Sequence, residues 1–126
     1  MGRSTHKTQL TQAREDSLHE LVARLDLPLE GVDLLNVAFI HTSYANEHKK
    51  LGLHHNQRLE FLGDAVLDLI IGEYLFHNYH DMTEGDLTKI KAATVCEPSL
   101  ASVSRQLDLG RYLLMGHGET MSGGQN

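Results

Sequence analysis

Tryptophan is absent from this 126-residue chain, proline occurs twice and cysteine once. So few prolines leave long stretches open to helix, because proline breaks helix interiors and central strands alike. The lone Cys96 excludes an internal disulfide, and such usage points to a reducing cytoplasm. No apolar run is long enough to span a bilayer. The longest surrounds Ile70-Ile71 and is broken by Asp64, Asp68 and Glu73. No membrane is therefore expected as a partner, and the N-terminus has no apolar core of the secretory type. Positive charge is scarce too. Eleven Lys and Arg against 17 Asp and Glu leave a formal net charge of -6. That balance excludes a broadly basic nucleic-acid-binding module. It does not exclude an enzyme acting on nucleic acid, since a divalent cation inverts the field of an acidic site. Basic residues still gather locally, at His48-Lys49-Lys50 and at His54-His55 with Arg58. Those segments read either as phosphate contacts or as solvated loop.

What is present is apolar residue at helical spacing. With 40% hydrophobic residues the length suits one domain with a core. Residues 1-12 are polar and aperiodic and read as a loose tail, with the domain over 13-126. Leu18, Leu21, Val22 and Leu25 predict an amphipathic helix that Pro28 ends. A second helix is expected over 29-40. His41 to Glu47 follows and leads into a polar, His-rich connection with Gly52, which closes at Asn56, a good N-cap residue. A central helix is predicted over 57-79. It is apolar nearly all round, the mark of a buried helix. Thr83 caps the next helix, to about Cys96, with Asp86 at the capping-box position. Pro98 fits the first turn of a fourth, for which Gly110 is the expected stop. Leu113-Leu114-Met115 is too short to classify, and 116-126 reads as glycine-rich loop. The fold class is all-α, arranged around a buried central helix.

The chemistry concentrates in Asn56-Gln57-Arg58-Leu59-Glu60-Phe61-Leu62-Gly63-Asp64-Ala65-Val66-Leu67. On a helix Glu60 and Asp64 fall on one face, a turn apart. Like charges there repel by about 0.2–0.5 kcal/mol, and burying either unpaired costs far more. A cation between them resolves both problems. From spacing alone a solvated acidic face, extended by Asp68, is the commoner arrangement. Gly63 beside the pair permits close approach of another backbone. Phe61 reads as a core residue, and Glu84 as a charge favourable to its helix N-terminus. Other constellations are weaker. His77 and His80 with Asp81 read as a helix end and Cys96 as a buried small hydrophobe. Gly116 to Gly124 lacks the ending of a P-loop, and Ser122 lacks the frame of a nucleophile elbow.

The Asn56–Leu67 stretch resembles the motif of the ribonuclease III family at almost every position. His41-Thr42-Ser43-Tyr44-Ala45-Asn46-Glu47 is similar to the family's segment ahead of that motif. Glu84-Gly85-Asp86-Leu87-Thr88 with Lys91-Ala92 resemble the family's next helix. Leu109 to Leu114, Gly116 to Glu119 and Ser122-Gly123-Gly124 resemble the loop after that helix. The resemblance implies an endoribonuclease domain cutting double-stranded RNA with Mg2+, or Mn2+ in its place, as a cytoplasmic homodimer in RNA processing. Glu60 matches a metal ligand, and Asp64 the acidic residue of the hydrolysis step. Phe61 matches an aromatic inserted into the dimer partner, and Glu84 an acidic cleft position. Two departures stand out. Gln57 replaces a common Glu, and the chain ends at Asn126, before the family's helix carrying a further Asp and Glu. The expectation is a catalytic domain incomplete at its C-terminal end, without a double-stranded-RNA-binding domain. The rival expectation is an inert subunit of the same fold, serving dimerisation or an RNA–protein assembly.

Overall fold

The computed structural model describes residues 10–121. Their order is α1 (Gln12–Arg24), α2 (Asp33–Ala38), α3 (Thr42–Glu47), α4 (Gln57–Asn78), α5 (Glu84–Val95), α6 (Glu97–Gln106) and α7 (His117–Met121). Single turns of 3₁₀ helix occur at Lys49–Leu51 and Gly110–Tyr112. The only β pairing among the described residues is one isolated bridge, so the all-α expectation holds. No described helix is long and apolar enough to cross a membrane. The chain gathers into two compact units, one containing residues 10–57 and 111–121, the other 58–110. The expected tail lies mostly outside the described residues. Its last residues belong to α1, whose N-cap is Thr11, with Oγ1 accepting the Arg14 N–H at 3.1 Å.

In the first unit α1 buries Leu18 and Leu21 from its predicted stripe. It ends before Pro28. The Asp26 N–H bonds the Ala23 carbonyl and the Leu27 N–H bonds the Val22 carbonyl, with Asp26 at φ 51°. That pattern is a Schellman stop, with aspartate at the left-handed position usually given to glycine. α2 is much shorter than the predicted 29-40, because Phe39 and Ile40 leave it to pair with Leu114. The Leu114 N–H bonds the Phe39 carbonyl at 2.8 Å, and the His41 N–H bonds the Leu114 carbonyl at 2.9 Å. That bridge gives Leu113-Leu114-Met115 its structure.

α3 occupies the segment that leads into the expected polar connection, to which the sequence assigned no element. Its cap is His41, whose Nδ1 accepts the Ser43 N–H at 3.1 Å. Histidine is outside the usual capping set, so the sequence carries no start signal there. Opposite α3 the chain passes through Gly116. The Gly116 N–H donates to Ser43 Oγ at 2.8 Å, and the His117 N–H donates to a Glu47 carboxylate oxygen at 2.9 Å. A β-carbon on Gly116 would sit 2.9 Å from the Ser43 carbonyl oxygen, so only glycine fits. The segment expected as loop therefore docks by its backbone and begins α7. Deeper in, Tyr112 is buried against Phe39, with ring centroids 6.0 Å apart. The half-buried Arg14 donates from Nε to buried Asn36 at 2.8 Å and from a terminal nitrogen to the Tyr112 carbonyl at 2.7 Å.

In the second unit α4 spans 22 residues, ending one residue before the expected Tyr79. α5 begins as expected, with Thr83 Oγ1 accepting the Asp86 N–H at 3.2 Å. α6 carries proline in its first turn. Its stop comes earlier than Gly110. Asp108, at φ 53°, bonds the Arg105 carbonyl, and the Leu109 N–H bonds the Ser104 carbonyl, repeating the end of α1. The expectation of a buried central helix is overturned. Leu75 is the one buried residue of α4, while Phe61, Leu62, Val66, Leu69 and Ile70 are exposed. An apolar circumference records what a helix could bury, and the covering surface has to come from elsewhere.

Candidate metal centre on α4

The side chains of Glu60 and Asp64 project from the first turns of α4, and both are exposed. Intrahelical hydrogen bonding holds their backbone, so the two carboxylates keep i, i+4 register whatever their rotamers. The ion pairs among the described residues join His19 to Glu15 and Arg111 to Glu20, and none reaches Glu60 or Asp64. A β-carbon on Gly63, between them, would meet nothing within 4 Å. The close approach expected at Gly63 is therefore absent, and the flank of the pair is open surface. Gln57, one turn earlier, adds an exposed amide and no charge.

Two carboxylate oxygens on an open face fit magnesium's habit of taking one or two protein carboxylates and keeping several waters. Among the described residues no group of three or more His, Cys, Asp or Glu side chains is placed to share an ion. Glu84 accordingly does not join the pair. It stands at the start of α5 in a cleft of about 170 Å³ lined also by Gly72, Leu75, Leu87, Thr88 and Lys91. Lys91 shares that cleft because it follows Glu84 by seven residues, two turns on one helix face. That spacing was the available sequence signal for pairing them. The cleft therefore mixes an acid and a base on an apolar floor.

Phe61 is 83% exposed, so it fills no core position within its own chain. His77 and His80 share no helical face, because α4 stops at Asn78, and His77 instead meets Phe76 edge-on at 5.2 Å. Cys96 is exposed and not the buried hydrophobe expected. A hydrogen bond with the Ser99 side chain, Sγ to Oγ 3.2 Å, draws its thiol below the ordinary cysteine range. Ser122 and Gly123-Gly124 lie outside the described residues.

Comparison with known proteins identifies the family. A family model described as Ribonuclease-III-like matches residues 32–126. The chain is 45% identical over 123 residues to Ribonuclease 3 of Shouchella clausii, spanning 98% of this chain and 47% of that one. It is 53% identical over 112 residues to Ribonuclease 3 of Desulforamulus reducens, spanning 89% and 46%. It thus spans about half the length of the curated relatives it matches. A crystal structure of the nuclease domain of ribonuclease III from Campylobacter jejuni superposes with a TM-score of 0.74 at 42% identity, covering 86% of this chain and 69% of that one. A second structure of that domain, described as flexible in a region involved in dimer formation, superposes with a TM-score of 0.76. A match over three quarters of the chain, with identities near one half, establishes that this protein belongs to the ribonuclease III family.

Proposed function

We propose that the chain is the catalytic domain of an endoribonuclease that hydrolyses double-stranded RNA with magnesium, acting in RNA processing in the cytoplasm. The observation that carries this reading is the unpaired Glu60–Asp64 couple on an open helix face. Two neighbouring carboxylates without an ion-pair partner repel, and a divalent cation held between them relieves that repulsion. Glu60 would hold the ion, and manganese could replace it. When bound, the ion lowers the pKa of a coordinated water and offsets charge on the phosphate. Asp64 would either share the ion with Glu60 or accept a hydrogen bond from the attacking water and orient it. The water oxygen bonds to phosphorus, the bond to the 3'-oxygen breaks, and the products carry 5'-phosphate and 3'-hydroxyl ends. Recognition follows A-form shape more than base sequence. Exposed Phe61 supports a homodimer in which it enters the second copy, and Glu84 is the weaker acidic-cleft candidate.

The test is cleavage of duplex RNA in magnesium by the chain, Glu60→Gln and Asp64→Asn. Each substitution should lower kcat/KM by about 100-fold or more. Undiminished cleavage by both variants overturns the assignment. A second reading, an inert subunit of the same fold, draws on the lack of a third acidic ligand near the pair among the described residues. Manganese titration separates the two. Line broadening confined to α4 supports the enzyme, and uniform broadening supports the inert subunit.

A further inference from the structure

Glu60 lies in the first turn of α4 and Asp64 in the second. They hold i, i+4 register only while that first turn stays wound. Helix starts fray, because their first four N–H groups lack intrahelical acceptors. Most helices in proteins resist fraying by packing an apolar face. The start of α4 has little of that support, since Phe61 is 83% exposed and Leu62 59%. The residue before the helix supplies a different hold.

Asn56 makes two hydrogen bonds to one short segment. Its N–H bonds the Ile40 carbonyl at 2.9 Å, and its side-chain amide nitrogen donates to the Ala38 carbonyl at 3.3 Å. That segment is itself fixed. Ile40 is 1% exposed, and the Phe39 carbonyl and the His41 N–H both bond Leu114. Ala38 ends α2, where the last turn leaves carbonyls without intrahelical partners. The Asn56 amide therefore donates away from α4. An N-cap side chain does the reverse and accepts an N–H from the first turn.

We propose that Asn56 is a positioning residue for the metal centre: its amide ties the start of α4 to the Ala38 carbonyl, which keeps the first turn wound and Glu60 in register with Asp64. This rests on the reading of that pair as a magnesium site. Asn56 acts through Glu60 and does not itself touch the ion.

The experiment compares the full 126-residue chain with Asn56→Ala, Asn56→Asp, Glu60→Gln and Thr11→Ala. Manganese affinity is read from the electron paramagnetic resonance signal of free Mn2+. Winding of the first turn is read from hydrogen exchange at the Phe61 amide, whose acceptor in an α-helix is the Gln57 carbonyl. Asn56→Ala should raise the manganese Kd about three- to tenfold, the range of one hydrogen bond. It should speed Phe61 exchange by about the same factor and leave the Leu75 amide, about four turns further on, unchanged. Asn56→Asp keeps an acceptor of the same size and removes the donor. Its Phe61 exchange should follow Asn56→Ala, whereas aspartate would preserve a capping role. Thr11→Ala deletes the cap of α1, where Thr11 Oγ1 accepts the Arg14 N–H, and should leave manganese affinity unchanged. Circular dichroism checks that each variant folds, and Asn56→Asp carries the test if Asn56→Ala does not. The proposal is overturned if Asn56→Asp keeps the exchange of the unmodified chain, or if Thr11→Ala weakens manganese as much as Asn56→Ala. Manganese binding that Glu60→Gln abolishes and Asn56→Ala leaves intact sinks the proposal alone. An unmodified chain that binds no manganese sinks the metal reading and the proposal with it.

Discussion

In the unit formed by residues 10–57 and 111–121, Leu18, Leu21, Ile40 and Tyr112 are buried almost completely. In the unit formed by residues 58–110, Leu75 is the one buried hydrophobic residue, and Leu69 is 69% exposed. The second unit is not poorer in apolar residues. α4 alone contributes four leucines, two isoleucines and two phenylalanines over residues 59–76 beyond Leu75. The difference is one of closure. The first unit brings segments distant in sequence together around Tyr112 and Arg14, joined by the Ile40–Leu114 bridge. In the second, three successive helices leave most of the apolar stripe of α4 on the surface. Contiguous exposed apolar surface of that kind marks an interaction face, which fits the proposed second copy around Phe61.

Substitutions ranked by size can break this contrast. Leu21→Ala, in the closed core, should cost about 2–5 kcal/mol in denaturant unfolding. A loss below about 1 kcal/mol would mean that the first unit is no better packed than the second. Gly116→Ala should cost about 1–3 kcal/mol, because its β-carbon meets the Ser43 carbonyl at 2.9 Å. Loss of the Gly116 and Ser43 amide protection from hydrogen exchange would locate the damage. Asp26→Gly and Asp108→Gly should each stabilise by about 0.5–1 kcal/mol, since both aspartates hold a left-handed φ. Equal gains show that helix stops are local and indifferent to the burial around them. Unequal gains refute that claim. Leu69→Ala should change the stability of dilute, monomeric chain by under about 0.5 kcal/mol. A larger loss that grows with protein concentration would show that a second copy covers α4.

Several elements are legible from residues alone. The span of α4, the Thr83 cap, the proline in the first turn of α6 and the one-face placement of Glu60 with Asp64 all depend on neighbours within a turn or two. Helix periodicity and capping act at that range. The rest needs partners far along the chain. α3 escapes a sequence reading because its cap is an imidazole. α2 is shorter than its pattern because Leu114 draws Phe39 and Ile40 out of it. The exposure of α4 contradicts its pattern because periodicity records a demand for cover without supplying it.

The amino-acid order by itself determined the helical class, the family and the acidic couple, since each is written within short windows of side chains. Tertiary structure alone decided that Gly116 seats against Ser43, that Glu84 does not join the acidic couple, and that Phe61 faces outward. Those outcomes turn on which surfaces meet once the chain has closed loops of many residues. That closure is an entropic choice among compact arrangements, and local pattern does not encode it.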